Sequence, residues 1–582
     1  MQSSPKPCPL AKGSLRTSLI EETLVATTSD EESTRSARPS SGTAHHGDGL
    51  GGLRRDLSNR KVQLVAVGGS IGTALLLSIG GDLNKAGPGG LLLAFAICNV
   101  FLALVNNCMA EMTVYMPVSG NFIRMAGHWV DDALGFCAGW NLFLYQFMMI
   151  PFEITALSLV LSYWSDHIPV AAIFGGCMVL YFFLNVSTVA VYGEAEFWLS
   201  SGKVLLLTML LCFTFVTMVG GNPQHDAYGF RYWNTPGAFA ECSSTGTVGR
   251  FEGFLAAVWS ASFTCVGPEY VGMMAAEAKH PRTYVKTAFE IVYVRLVVFL
   301  VGGALAVGVL VPFNDPVLES VYGSGSGGTG PSQRAAAASP YIIAMQNMGV
   351  QVFPHIVTAL MATTIFSAGN TYVFCATRSL YSMALEGRAP RRLLTKCTRR
   401  GIPVYAFLVV MLAPLLSLLQ LSSSSAQVLA WLINVATGAT IINYIVTCIT
   451  YVCFHRACTA QGFDRSALPY YARFQPWSAW IPLVADAVIL LCSGYKSVKP
   501  FDSAGFLTAY AMPIMVPLLF VGWKLAKRTT WRRPRDVDLV WEAPSITAYE
   551  MALDDRPVGF FEDCYLALRS VVQRDEGDKS NV

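Results

Sequence analysis

Apolar residues fall along this chain in runs of roughly twenty, the length that crosses the hydrocarbon core of a bilayer as a helix. Charged residues gather in the short stretches between them. About twelve such runs are legible, at 62–79, 90–112, 134–164, 169–190, 197–219, 254–274, 291–311, 353–384, 404–419, 428–454, 477–494 and 506–525. In lipid every backbone N–H and C=O must find an internal partner, so runs of this kind fold as helices. The pattern predicts an all-α membrane protein with about twelve transmembrane helices.

Two runs are interrupted. The first carries Gly68, Gly69, Ser70, Ile71, Gly72 and Thr73 in its middle. Glycine costs about 1 kcal/mol relative to alanine inside a helix, and a backbone group freed in lipid costs several more unless something pairs with it. The sixth carries Val266, Gly267 and Pro268, where proline removes a donor and disfavours a helical residue before it. Interrupted spans at corresponding positions of two halves point to a solute site between inverted repeats. The spacing of Gly68 and Gly72 also fits a close helix contact, whereas the proline makes packing a less sufficient account of the second break.

Composition agrees with the class: of 582 residues, 53% are hydrophobic and 14% charged, and mean hydropathy is +0.44, far from a soluble globular protein. The net charge of +3 is uninformative, but its distribution is not. With the N-terminus inside, one face collects most of the Lys and Arg, among them Arg54, Arg60, Arg124, Lys279, Arg282, Arg388, Arg399, Arg465 and Lys527. Positive loops stay cytoplasmic, so both termini are expected inside, which an even number of spans requires. Basic clusters that flank spans do not indicate nucleic acid.

Residues 1–56 carry Ser and Thr runs, the acidic patch Asp30, Glu31 and Glu32, and no apolar periodicity. They are expected to be a disordered cytoplasmic tail, and no signal peptide precedes the spans. Lys6 and Lys12 suit attachment by ubiquitin-ligase machinery, beside the plain reading of a solvated tail. The helical domain is placed at 57–528 and a cytoplasmic C-terminal tail at 529–582. The fifteen Cys form no disulfide framework; most lie in apolar runs as small buried hydrophobes.

Charges inside the runs carry the candidate chemistry. A carboxylate at mid-span costs roughly 2.5 to 3.5 kcal/mol on insertion scales, so it needs a partner or a wet pathway. Glu153 in the third run and Glu269 after Gly267 and Pro268 are expected to function; Glu111, near the end of the second run, reads as structural. Lys203 sits in EFWLSSGKVLLLTMLL. A lysine in low dielectric releases its proton more readily, which suits a proton relay, while a stem that snorkels to the interface is the alternative. No HExxH, paired CxxC, Walker loop or GxSxG elbow occurs, so nothing supports an enzyme, a metal or a cofactor.

The ordered series LSNRKVQLVAVGGSIGTA, KAGPGG, AEMTVYMPVSGNF, YGEAEFWLSSGKV, FTCVGPEYVGMMAAEAKHPR, SAGN, TRSLYSMALEGRAP and WLINVATGAT closely resembles the yeast-type, fungal amino acid permeases of the amino acid, polyamine and organocation (APC) superfamily, from about Leu57 to about Arg528. The resemblance implies a LeuT-like fold, a 5+5 inverted repeat plus two further helices, with helices 1 and 6 broken. It implies proton-coupled amino acid import across the plasma membrane by alternating access.

On this resemblance the substrate carboxylate is held at the opened first helix by Gly69, Ser70, Gly72 and Thr73, where N–H groups and the half-helix dipole favour an anion. The amine is attracted by carbonyls from Phe263 through Thr264 to Gly267, and Phe263 covers the solute. Lys203 takes the place of a sodium ion in sodium-coupled relatives, near Gly69 and Ser367. Glu269 and Glu153 would bind the amine or carry a proton. Departures from the family pattern are Ala74, Ala110, Pro268 and Ala276, of which Ala74 and Pro268 border the pocket. Two rival readings keep the architecture: a receptor that senses amino acids without moving them, and a carrier of a polyamine or choline-like amine.

Overall fold

A computed structural model of the chain describes residues 55–569, apart from 56, 69–71, 166, 188, 323–338, 399–401, 422–424, 496–501, 567 and 568. The expected N-terminal tail, save Arg55, lies outside the described residues, and so do Gly69 and Ser70.

Every expected span has a helical counterpart, and the described residues contain no strand, only two isolated bridges. Named in order, the elements are α1 (Asn59–Gly68), α2 (Ile79–Tyr115), α3 (Asn121–Trp129), α4 (Asp132–Leu161), α5 (Val170–Val186), α6 (Val189–Met218), α7 (Gly246–Thr264), α8 (Pro268–Met274) and α9 (Pro281–Leu310). They continue as α10 (Phe353–Leu385), α11 (Val404–Val410), α12 (Ser425–Gln461), α13 (Trp477–Cys492), α14 (Ser503–Lys527) and α15 (Ala543–Met551). Among the described residues, seven helices are long and apolar enough to cross a membrane, and shorter apolar ones accompany them. Large apolar side chains such as Phe183, Trp198, Phe215 and Leu518 stay exposed on α5, α6 and α14. Such a surface is meant for lipid, and the protein is an integral, multi-pass membrane protein.

Local chemistry sets several boundaries. Asp131 caps α4 by accepting from Ala133 N at 2.9 Å, and Asp502 caps α14 through Ala504 N and Gly505 N; each satisfies a donor that a helix start leaves orphaned. The helix of the ninth span stops early because Pro414 has no N–H to give to the preceding turn. The chain continues as the 3₁₀ segment Ala413–Leu421. In the seventh span a π-helical turn, Leu296–Val301, follows Arg295, a feature often found beside functional groups.

The first span differs from the sequence reading, which ended it at Ile79. It runs on to Ala86, where Gly87 takes φ 72° and Pro88 follows, so α2 is two helices joined at a kink. Asp82 and Lys85, which fall between the expected first and second runs, sit on helix. The kink's backbone groups are paired from a distant loop: Gly89 N donates to Ala238 O at 2.7 Å and Ala240 N donates to Ala86 O at 3.1 Å. A Cβ on Gly87 would lie 2.6 Å from Ala240 N, so only glycine allows this approach.

Spans five apart pack on each other, α4 against α10, α2 against α9, and the Ile79–Ala86 half of the first span, where Lys85 and Ala86 lie beside Gly253, against α7, the arrangement expected of two inverted five-helix repeats. The C-terminal segment lies on one end of this bundle. Arg532 N donates to Val130 O at 2.9 Å, Tyr115 OH to Leu539 O at 2.7 Å, and Arg124 pairs with Glu542 at 2.6 Å. Further along, Arg282 N donates to Glu550 at 3.0 Å, and Asn59 and the Arg60 N–H reach Val558 O and Asp563 at 2.8 Å.

Candidate functional site

Both expected interruptions are present, and each is built from local backbone constraints. Gly72 is extended at φ −104° and ψ 178°, after which Thr73–Leu75 form a short 3₁₀ turn. Cys265 leaves helical geometry at ψ 81°, and Gly267 takes φ 155°, a region closed to other residues without strain. Pro268 then begins α8 at the position where its missing N–H costs nothing.

Thr73 is the first residue past the break that faces protein. Its Oγ1 donates to Glu153 Oε2, which ties the opened first span to α4. Glu153 is fully buried, and among the described residues its Oε1 accepts from nothing. Gly369 on α10 lies opposite: a Cβ there would be 2.1 Å from the Tyr181 hydroxyl and 3.3 Å from Glu153 Cβ. The absent side chain lets α10 close over the carboxyl group. Phe152, next to Glu153, packs edge-on against Phe263 with ring centroids 5.4 Å apart. Thr264 turns its hydroxyl back to Ser260 O at 3.2 Å.

The break of the sixth span is closed by protein groups. Tyr444 OH on α12 donates to Cys265 O at 3.2 Å, and Arg295 Nη2 on α9 donates to Val266 O at 3.0 Å. The carbonyls of Thr264 and Gly267 accept from Val266 N and Tyr270 N, each at 3.1 Å. Each carbonyl keeps a second lone pair, so the strip from Thr264 to Gly267 can still accept from an ammonium. Glu269 accepts from Gly267 N at 3.1 Å and contacts Tyr444 OH at 3.3 Å. The carboxylate thereby holds the break on which it stands.

Lys203 forms a third cluster. It is fully buried on α6, and its Nζ lies 3.6 Å from Glu196 Oε1, two turns back on the same face. Ser367 Oγ donates to that same oxygen at 2.7 Å and Ser200 Oγ at 3.2 Å. Ser367 of α10 is thus joined to the lysine through Glu196. The snorkelling alternative does not apply, since no part of Lys203 reaches solvent. Its expected neighbour Gly69 lies outside the described residues.

Sequence reading missed Arg295, Tyr444 and Glu196. Arg295 gave the signal that singled out Lys203, an isolated cation in EIVYVRLVVFLV. Glu196 stands one residue before the expected fifth run, and a tyrosine such as Tyr444 gives no signal until its partner is known. Glu111 is a structural carboxylate, bound by Arg465 at 2.7 and 2.8 Å, Tyr451 OH at 2.9 Å and Ala472 N at 3.0 Å.

Three features are present here: an opened first span tied by Thr73 to α4, whose Phe152 packs on Phe263 of the opened sixth span, a buried carboxyl with a spare acceptor, and a buried ammonium on a carboxylate. Comparison with known proteins adds the following. The sequence profile described as "Amino acid permease" matches residues 61–534. The general amino acid permease AGP2 of Saccharomyces cerevisiae is 40% identical over 508 residues, 86% of this chain and 84% of the relative. The dicarboxylic amino acid permease of the same yeast is 35% identical, covering 89% of this chain and 85% of the relative. A proline-specific permease, also from that yeast, is 36% identical, covering 83% and 76%.

Proposed function

The chain belongs to the amino acid permease family, and from that premise we propose that it imports amino acids across the plasma membrane, drawing protons in with them. The observation that carries the reading is the Thr73 hydrogen bond to Glu153, which sets an opened backbone beside a buried carboxyl with an unused oxygen. A zwitterion fits there: its carboxylate takes the N–H groups at Gly72 and Thr73, with the positive end of the following helix behind them. Its ammonium takes Glu153 and the carbonyls from Phe263 to Gly267, and Phe263 covers it.

The coupling proton belongs to the Lys203 cluster in this scheme. Glu196 and Ser367 stand beside the ammonium to register a change in its protonation. Alternating access rocks the helices around the fixed midplane site, with both termini on the cytoplasmic side. Glu269 serves the geometry of the sixth-span break.

The test is uptake of the twenty radiolabelled amino acids in a cell lacking its own permeases, repeated with a protonophore and across pH. Uptake that collapses with the protonophore and in Lys203→Ala supports the proposal. Uptake indifferent to both defeats the proton mechanism, and binding without counterflow in vesicles favours the sensing receptor instead.

A further inference from the structure

At the bundle end that carries the C-terminal segment, the loop ahead of α13 folds back onto α2 and α9. Asn107 of α2 donates to Arg473 O at 2.8 Å and accepts from Tyr470 OH at 3.4 Å. Lys286 Nζ of α9 donates to Pro469 O at 3.4 Å. These three segments enclose an open hollow of about 420 Å3, within the roughly 300–1,000 Å3 of ordinary small-molecule pockets. Lys286 stands one turn past Arg282, which holds the C-terminal segment through Glu550. The hollow therefore lies near the helix ends, where hydrocarbon gives way to headgroups.

Three charges line it, Lys286, Glu290 and Arg473, and none of them is buried. Among the described residues none has an oppositely charged partner within 4.0 Å. Lys286 and Glu290 are four apart on α9, but lysine before glutamate is the weaker order for such a pair. Glu290 instead acts on the phenols of Tyr293 and Tyr470, which hydrogen-bond each other. At the rim Tyr471 is 54% exposed and Phe474 79%. Phe474 also holds φ 62°, a strained conformation for an aromatic residue, and strain of this kind persists where a site requires it. Aromatic rings at the end of a span sit at headgroup level, and Ala103 and Leu104 continue the lining toward mid-span.

We infer that this hollow binds a phospholipid of the adjoining leaflet whose headgroup carries two anions and one ammonium, as phosphatidylserine does. The Arg473 fork takes the phosphodiester, Lys286 the carboxylate and Glu290 the ammonium, while the acyl chains run along Ala103, Leu104 and the Phe474 ring. The charge count selects the headgroup. One with a single anion leaves a cation unanswered, and one without an ammonium leaves Glu290 facing like charge. Lipids of this class belong to the cytoplasmic leaflet, the side on which positive loops place this end. The inference does not depend on the transport reading.

The experiment takes the purified full-length protein in phosphatidylcholine nanodiscs doped with phosphatidylserine, phosphatidylglycerol or phosphatidylethanolamine. Native mass spectrometry counts the lipid kept on release from the disc, and the melting temperature is read beside it. Phosphatidylserine should be kept best and should raise the melting temperature most. Arg473→Gln and Lys286→Gln should each weaken its retention about fivefold, as losing one surface cation does; neither breaks an ion pair, so the fold is kept. Glu290→Gln separates a site from mere surface charge: it should abolish the preference for phosphatidylserine over phosphatidylglycerol, whereas diffuse attraction would strengthen for both. Equal retention of those two lipids by the wild-type protein, or variants that behave as wild type, overturn the site. Stabilisation by water-soluble glycerophosphoserine as large as that by the lipid would show a soluble ligand and overturn the lipid.

Discussion

Arg295 of the seventh span donates from Nη2 to the carbonyl of Val266 at 3.0 Å, so a cation on one helix closes the backbone gap of another. A Cβ on Gly267 would fall 2.1 Å from that same nitrogen, and the glycine also holds φ 155°. Gly267→Ala should therefore combine backbone strain of about 1–3 kcal/mol with displacement of the guanidinium. The expected outcome is a lower melting temperature of the purified protein and loss of uptake. Arg295→Met should do the same, since it leaves Glu269 as a buried carboxylate without its nearby cation; thermal unfolding followed by size-exclusion chromatography checks both.

Lys203 and Glu196 allow structure and transport to be separated. Removing one partner of a buried pair leaves an uncompensated charge at about 3–5 kcal/mol, so Lys203→Met should be markedly less stable. Glu196→Gln added to it removes the stranded charge and should recover most of the melting temperature. Uptake should stay absent in the double variant, because the group proposed to carry the proton is gone. Recovery of pH-dependent uptake in the double variant would show that Lys203 only holds the fold.

How far the sequence reveals the site depends on the range over which each determinant acts. The breaks at Gly72 and Gly267 were legible because glycine and proline act on their own backbone, and Glu153 and Lys203 because an apolar run isolates them. What closes the breaks was not legible. Tyr444 meets Cys265 across 179 positions of the chain, and Arg295 meets Val266 from the neighbouring span. Glu196 and Asp82 sit just outside the expected runs at 197 and 79, where hydropathy cannot tell a buried charge from a loop. The kink at Gly87 was hidden for a related reason: its partner is the loop around Ala238 and Ala240, and KAGPGG alone gives a turn without saying what it packs on.

The C-terminal segment should be a stabilising part of the fold. Its own Leu539 and Ile546 are buried in a cluster with Trp129 and Phe454 of the bundle, and burying such side chains is worth about 1.5–3 kcal/mol each. Truncation after Arg528, or Ile546→Asp, should lower the melting temperature and open the chain near Arg282 to protease. Single-site cleavage mapped by mass spectrometry reports the latter.

One contact of that segment should follow pH. The hydrogen bond from Lys279 holds the Asp555 carboxyl below its ordinary range. A carboxyl lowered in the folded state helps above its unfolded pKa, about 3.9 for aspartate, and that help is lost as pH falls through the lower folded value. Both groups are exposed, so the effect is small and salt weakens it. Protease access to the segment around residue 555 should rise in strong acid and in high salt, and Asp555→Asn should remove both dependences at that position.

Thr73 and Glu153 give the most direct test of the opened first span. Thr73→Ser keeps a donor for Glu153 Oε2 and should hold uptake within a few-fold of wild type. Thr73→Val keeps the shape but leaves both carboxyl oxygens of a fully buried glutamate without a donor among the described residues. Losing such a bond costs about 1–3 kcal/mol, and uptake should drop at least about tenfold. Glu153→Gln separates the two roles of that residue: the amide oxygen still accepts from Thr73, so the break stays tied to α4, while the charge that would face a substrate ammonium is gone. A folded, surface-exposed Glu153→Gln protein with a strongly raised KM would place the charge at the solute. An unchanged KM would confine Glu153 to holding the break.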